Sequence, residues 1–201
     1  MNVGDVAESD LVRVVLGDAN VLYPRVLRDY LLYAADQEVI SIAWSGMILD
    51  EVTRHLIANV PGFTEESGKR LVRAMNAAFP YAEVEPTVEH YQRLMDFSLP
   101  DEDDRHVLAA AIAADAVVLC TANTKDFPES VTASVGVETM TPDTLLCLLI
   151  REFQPQMLAA HAAAVASLRG ATDASTIRAL RRAGAPAAAD LMVGLLRPES
   201  V

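Results

Sequence analysis

Four acidic residues stand at the ends of apolar runs that are spread over more than one hundred residues of the chain: Asp18, Glu51, Asp104 and Asp126. In an α/β fold, the ends of such runs meet at the carboxyl edge of the sheet. Carboxylates brought together repel one another, and they stay ionised only when a cation lies among them. Hard oxygen ligands suit Mg²⁺ or Mn²⁺, and a metal with open coordination positions is suited to hydrolysing a phosphodiester.

The elements that would position these acids alternate between strands and helices. Apolar segments predict four strands, at residues 11–16, 40–44, 82–85 and 116–121. Pro24 begins the first predicted helix, Ser45 caps the second, and residues 65–79 form a third. The continuous apolar character of the last strand is typical of a parallel sheet that is covered on both faces. We therefore predict a three-layer α/β/α sandwich with a central parallel sheet.

The remainder of the chain is rich in Leu and Ala and predicts helices only. A helical run opens at Thr141 and is predicted to continue to about Leu168, and two further helical pieces follow it. We place a domain boundary near residue 150, which gives a domain of residues 1–150 and a C-terminal helical extension of residues 151–201. The extension is expected to pack on the domain or on a partner.

Four short motifs carry a resemblance to a known family. They are D-A-N-V-L at 18–22, I-L-D-E-V at 48–52, D-E-D-D-R-H-V-L-A-A-A at 101–111 and T-A-N-T-K-D-F at 121–127. In this order and at these intervals they resemble the PIN domain, a family that includes the VapC-type ribonuclease toxins of bacterial toxin–antitoxin pairs. The resemblance implies a metal-dependent endoribonuclease specific for single strands. The tail resembles the C-terminal helical extension of one longer bacterial branch.

The same resemblance implies roles for individual acids. Asp18 becomes the metal-binding aspartate, Glu51 the second acid and Asp104 the third, while Asp101 matches an additional acid of one PIN branch. Each residue also has a structural alternative. The carboxylate of Asp18 could close an Asx turn, Glu51 could be an exposed helical acid, and Asp104 could cap the helix that follows it.

The fourth motif departs from the fully acidic form of the family. Asn123 stands two residues after Thr121, and Asp126 follows three residues later. The fourth charge therefore comes from Asp126, or else the site has three carboxylates and an Asn that orients water. Thr121 is expected to hydrogen-bond a ligand carboxylate or a phosphate. The structural alternative for all three residues is a polar turn with Asp126 as its cap.

These roles imply one Mg²⁺, with Mn²⁺ as the other possible ion. Asp18 and Asp104 are expected to hold it, with Glu51 and Asp126 in direct or water-mediated contact. Attack by metal-activated water would leave 5′-phosphate and 3′-hydroxyl ends on the RNA. No histidine is needed as a base in this scheme.

The charge of the chain both opposes and allows an RNA substrate. A net charge of −12 repels a phosphate backbone, whereas a local basic rim would attract it. Candidate phosphate contacts are Arg25, Arg28 and Arg54, although a solvated helix face explains each of them singly. The histidines show no metal-ligand spacing, and we predict that they are surface or interface residues. They are His55, His90, His106 and His161.

Several features bear on the compartment of the protein. Cys120 and Cys147 lie in apolar stretches, which predicts two buried thiols in a reducing compartment rather than a disulfide or a metal pair. The acidic N-terminal segment lacks the positive region of a signal peptide, and no apolar run reaches the length of a membrane span. A cytoplasmic protein is expected.

Partners and competing functions follow from the same features. The resemblance implies a cognate antitoxin that covers the site, and a homodimer. The main alternative is a catalytically weak or inactive PIN-fold module that binds RNA or protein, which Asn123 and the acidic charge favour. A haloacid-dehalogenase-like phosphatase is disfavoured, because it needs D-x-D after the first strand where this chain has Asp18-Ala19-Asn20.

Overall fold

The computed structural model describes residues 13–197, in which five parallel strands form a single sheet. The strands are β1 (Arg13–Gly17), β2 (Ile40–Ser45), β3 (Glu83–Val84), β4 (Val118–Cys120) and β5 (Glu138–Met140). Their spatial order is β3-β2-β1-β4-β5. The chain moves outward in one direction from β1 to β3 and in the other from β4 to β5. The sheet therefore has a topological switch point between β1 and β4, where α/β proteins place their ligands.

Helices connect the strands and continue beyond the sheet. They are α1 (Ala19–Leu22), α2 (Arg25–Asp36), α3 (Gly46–Asn59), α4 (Glu65–Ala78), α5 (Val88–Gln92), α6 (Arg105–Ala113), α7 (Glu129–Thr132), α8 (Pro142–Glu152), α9 (Gln154–Ala166), α10 (Asp173–Arg182) and α11 (Pro186–Leu196). Short 3-10 turns precede α6 and follow β4, at Glu102–Asp104 and Thr124–Asp126. None of the helices within residues 13–197 is long and apolar enough to cross a membrane.

The predicted α/β/α architecture with a C-terminal helical region is confirmed. The predicted apolar face of α2 is buried, and Tyr30 and Leu31 on it are fully inaccessible. Ser45 accepts a hydrogen bond from the backbone N–H of Ile48, so it caps α3 as predicted. Cys120 and Cys147 are both free and buried. The first two residues of the first predicted strand lie outside the described part of the chain.

Two predictions about the elements are wrong. The sequence pattern did not predict β5, because its three residues are too few and too polar to give a strand signal. The segment is a strand because it pairs with β4. The helical run predicted from residue 141 to about 168 is not continuous, because it is divided into two helices that meet at Phe153. Pro155 explains the break, because it has no N–H to donate to the carbonyl of Arg151 in a continuous helix.

The helices of the C-terminal extension pack on the domain. Helix α9 packs against α2, and α11 packs against α8. Tyr30 Oη lies 2.5 Å from His161 Nδ1, and His161 Nε2 lies 3.2 Å from Asp173 Oδ1. His161 is only 1% exposed, so the prediction that it is a surface or interface residue is wrong. The side chain of Asp143 on α8 accepts hydrogen bonds from the first turn of α11 and caps that helix.

Candidate functional site

Asp18 lies directly after β1 and is fixed by the neighbouring strand. Its backbone N–H donates to the carbonyl of Cys120 at the end of β4, at 3.0 Å. Its carboxylate is 5% exposed and accepts three hydrogen bonds of 2.6 Å. Oδ1 accepts from the backbone N–H of Ala19, and Oδ2 accepts from Asn20 Nδ2 and Thr121 Oγ1. The sheet therefore presents this carboxylate at the switch point, and the same side chain also caps α1.

The surroundings of Asp18 both raise and lower the pKa of its carboxyl group. Burial raises the pKa of the carboxyl group, and the negative charge of Glu51 raises it further. The hydrogen bonds from Thr121, Ala19 and Asn20 lower it, because they favour the ionised form. A carboxylate held in this way is poised to ligate a cation, since the cation would offset both unfavourable contributions.

Asp104 marks the place where the acids converge. It ends the 3-10 turn before α6 and is partly buried. Its pKa is raised to about 6, first by burial and then by the negative charges of other carboxylates. Those carboxylates belong to Asp18, Asp101, Asp126 and Glu51. Residues of four separate segments of the chain thus lie close enough to Asp104 to repel its ionised form.

Asp126 and Asp101 occupy the two loops at this edge. Asn123 Nδ2 donates a hydrogen bond to Asp126 Oδ2, and the backbone N–H of Asn123 donates to Thr121 Oγ1 at 3.1 Å. Asn123 therefore contacts the acid that sequence reasoning considered as its substitute. The Oδ1 of Asp101 accepts from the backbone N–H of Asp103 and caps the 3-10 turn.

Glu51 faces the cluster from α3 and meets a residue that sequence reasoning missed. Its Oε1 lies 3.0 Å from Nε2 of His106, which is the second residue of α6. His106 is 5% exposed, so the prediction that it is a surface or interface residue is wrong. Residues 106–112 of α6 are all buried. The place of His106 in the sequence, two residues after Asp104, is a signal that could have indicated its position beside the acids.

The three candidate phosphate contacts lie in different surroundings. Arg54 lies one turn after Glu51, with its side chain 71% exposed. Arg25 is exposed but engaged, because it pairs with Asp29 and donates to the carbonyl of Ser167. Arg28 is buried, and its guanidinium donates to the carbonyls at the end of α1. Of the three, Arg54 is the one beside the acidic edge with its charged group turned to solvent.

The donor set is compatible with a divalent cation in its chemistry. Carboxylate oxygens are the ligands that Mg²⁺ and Mn²⁺ take in proteins, and burial and the negative charges of neighbouring acids both raise the pKa of Asp104. No group of three or more His, Cys, Asp or Glu side chains in residues 13–197 is close enough together to hold an ion as it stands. Side chains would therefore have to move toward the ion before three ligands could contact it.

Residues 13–125 match the family model of the PIN domain, and the chain therefore belongs to the PIN domain family. PIN domains are generally nucleases that act on phosphodiester bonds, and they typically use divalent metal ions. No curated protein and no solved structure matches the chain. The residues that match the family model include Asp18, Glu51 and Asp104. The nuclease-type domain therefore carries these three acids.

Proposed function

We propose that this protein is a Mg²⁺-dependent endoribonuclease that hydrolyses single-stranded RNA and serves as the VapC-type toxin of a toxin–antitoxin pair. The convergence of carboxylates on Asp104 is the observation that supports the activity. Acids from four segments gather beside the switch point of a nuclease-type fold, and burial, together with the negative charges of these acids, raises the pKa of Asp104 to about 6. A capping role or a surface role can explain each acid by itself. Such roles do not explain why the acids lie close to one another.

The acids divide the binding of the cation among them. Asp18 and Asp104 are the principal ligands, while Glu51 and Asp126 bind directly or through water and Asp101 adds negative charge at the rim. A divalent cation supplies this site with water activation and neutralisation of charge on the phosphoryl oxygens. Mn²⁺ is the second ion compatible with these ligands.

Other residues of the chain orient the acids and the substrate. Thr121 holds the Asp18 carboxylate through its hydroxyl group, and Asn123 holds Asp126 through its amide. Arg54, exposed beside Glu51, contacts a phosphate of the bound strand. Arg25 and Arg28 are not given this role, because their guanidinium groups bond within the fold. Cleavage on the side of the 3′ oxygen leaves 5′-phosphate and 3′-hydroxyl products.

The biological setting is part of the same proposal. A cluster of uncompensated carboxylates attracts the Arg or Lys side chain of a cognate antitoxin, which would cover the site. A homodimer and a cytoplasmic location complete the toxin assignment. A small neighbouring reading frame that encodes a DNA-binding protein would support it, and purification of the two proteins as one complex would test it.

A PIN-fold module that binds RNA or protein without cutting is the second candidate. Two observations favour it. The described residues hold no ready group of three metal ligands, and Asn123 stands where the family can carry an acid. In that case the acids would serve a binding surface, and RNA or protein would bind equally well with or without Mg²⁺.

A cleavage assay distinguishes the two candidates. Single-stranded RNA is incubated with the protein over a Mg²⁺ titration and with excess EDTA, alongside D18N and D104N. Each variant is expected to lose about 10²-fold or more in rate, because each removes charge stabilisation at the reacting phosphate. D36N is the matched control, since Asp36 is exposed at the end of α2, near the opposite edge of the sheet. Wild-type rates in D18N would rule out the nuclease assignment, whereas Mg²⁺-independent binding without cleavage would support the second candidate.

A further inference from the structure

His106 presents a buried nitrogen to the carboxylate of Glu51. Its Nδ1 lies 3.0 Å from the backbone carbonyl oxygen of Asp103, which orients the ring. Its Nε2 lies 3.0 Å from Glu51 Oε1, yet the approach is not aligned as a hydrogen bond, and this buried atom has no hydrogen-bond partner in the described part of the chain. A buried polar atom without a partner is costly. Because Nδ1 and Nε2 both face acceptor oxygens, the ring would donate to both as an imidazolium, and a rotation of Glu51 would align its carboxylate with the Nε2–H.

The other basic neighbours of Glu51 cannot orient it in the same way. Arg54 reaches Glu51 Oε1 at 3.8 Å, but it lies on the same helix and its side chain is 71% exposed. His55 also acts on Glu51, and it too is exposed on that helix. An exposed pair of this kind contributes little, because solvent screens it and the side chain remains mobile. His106 is 5% exposed and belongs to α6, which directly follows Asp104, so its contact links the Asp104 segment to the helix that carries Glu51.

We propose that His106 is a positioning residue that holds the Glu51 carboxylate toward Asp18 and Asp104. This inference rests on the proposed function, since it concerns the same metal-binding acids. His106 acts through Glu51 and contacts neither the cation nor the RNA. Groups that orient metal ligands in this way commonly change metal affinity or activity by 10- to 100-fold when they are removed.

The surroundings of the ring are consistent with this role. The negative charges of Asp18 and Asp103 also act on His106, so the ring lies among acceptors rather than among competing donors. The helix that carries it is buried from residue 106 to residue 112, which leaves the ring little freedom to turn away. Ring and acid therefore face each other at 3.0 Å between α3 and α6.

Three substitutions at one position separate the two contacts of the ring. H106Q keeps an amide nitrogen near the position of Nε2, which faces Glu51. H106N reaches only the position of Nδ1, which faces the Asp103 carbonyl, and H106L keeps neither. Affinity for Mn²⁺ is measured by calorimetry, and RNA cleavage is measured separately. H106L and H106N are expected to lose about 10-fold or more in both quantities, whereas H106Q stays within about threefold of wild type.

Two controls distinguish positioning from a structural effect. H161L removes another buried histidine, in the extension, and is expected to lower stability while leaving Mn²⁺ affinity unchanged. In an E51Q background, H106L is expected to cause no further loss, because the group on which it acts is already altered. Should H106L fail to fold, the comparison of H106Q with H106N in the folded protein still decides the question.

Several outcomes would overturn the inference. Wild-type Mn²⁺ affinity in H106L, an equal loss in the E51Q background, or rescue by H106N and not by H106Q would each contradict a role through Glu51. A histidine nitrogen coupled to bound Mn²⁺ in an electron paramagnetic resonance spectrum would make His106 a direct ligand instead. If the wild-type protein binds Mn²⁺ but does not cut RNA, the proposed nuclease function fails, while the affinity measurements still test His106.

Discussion

Thr121 Oγ1 donates a 2.6 Å hydrogen bond to Asp18 Oδ2, and the two residues are 103 positions apart in the chain. The bond joins the ends of β1 and β4 at the switch point of the sheet. The same hydroxyl accepts from Asn20 Nδ2 at 3.0 Å and from the backbone N–H of Asn123 at 3.1 Å. One donor and two acceptor positions are all that a hydroxyl offers, so Thr121 is fully used.

Replacing Thr121 by Val is therefore expected to lower the free energy of unfolding by about 1–3 kcal/mol. The shape of the side chain is kept, but Asp18 loses a donor and two N–H groups lose an acceptor. RNA cleavage is expected to fall as well, because the Asp18 carboxylate is no longer held on that side. Urea unfolding gives the first quantity, and T121S, which keeps the hydroxyl, is expected to retain most of both.

The chain provides a matched control on the neighbouring strand. Thr139 on β5 has a buried hydroxyl without a hydrogen-bond partner among the described residues. T139V makes the same chemical change where no bond is lost, so it is expected to be neutral or slightly stabilising. Equal stability of T121V and T139V would contradict the importance assigned to the Thr121 hydroxyl.

The raised pKa of Asp104 predicts how pH affects the metal-free protein. The folded pKa is about 6, against an ordinary value of 3.8, so the folded state holds the proton more tightly. The stabilising contribution is fully present below pH 3.8 and is lost as the pH rises through about 6. Melting temperatures measured in EDTA are therefore expected to contain a component that falls across this interval.

Asp104→Asn isolates that component from the other titrations. The variant cannot ionise, so the difference in melting temperature between D104N and wild type is expected to grow in favour of D104N as the pH rises from 4 to 7. Added Mg²⁺ is expected to shrink the difference, because the cation compensates the charge in wild type. A difference that is constant with pH would mean that neither burial nor the neighbouring carboxylates raise the pKa of Asp104 in solution.

The sequence allowed the elements beside the acids to be predicted, because the ends of strands and helices depend on local signals. Asp18 follows an apolar run that had to be a strand, and Asp104 precedes a helix with a clear apolar stripe. The convergence of their segments follows from the general rule for parallel sheets. The order of the elements and the point at which each one ends were sufficient for this prediction.

Features that depend on contacts between distant elements could not be predicted in that way. The three residues of β5 form a strand because β4 offers an unpaired edge. His161 is buried because α9 packs on α2, where Tyr30 provides a partner for one ring nitrogen. The spacing of the histidines in the sequence does not show which of them become buried when helices pack together. The prediction that His106 and His161 lie at the surface was therefore wrong.

The contact between Tyr30 and His161 predicts that the extension stabilises the whole protein. Y30F removes the hydroxyl that lies 2.5 Å from His161 Nδ1 and leaves a buried nitrogen unpaired. The free energy of unfolding is expected to fall by about 1–3 kcal/mol. Y33F is the control, because Tyr33 lies on the same helix with a less buried ring. A single unfolding transition that shifts in Y30F and not in Y33F would show that domain and extension unfold together.

Arg54 is expected to contribute affinity for RNA without contributing stability. Its side chain is 71% exposed, so R54Q removes a charge that solvent already screens from Glu51. Binding of single-stranded RNA is expected to weaken, and the slope of log K against log salt concentration is expected to fall by about 0.7, as for one lost phosphate contact. R151Q is the control, because Arg151 is exposed at the far end of α8. Equal slopes for R54Q and wild type would place the RNA on another face of the protein.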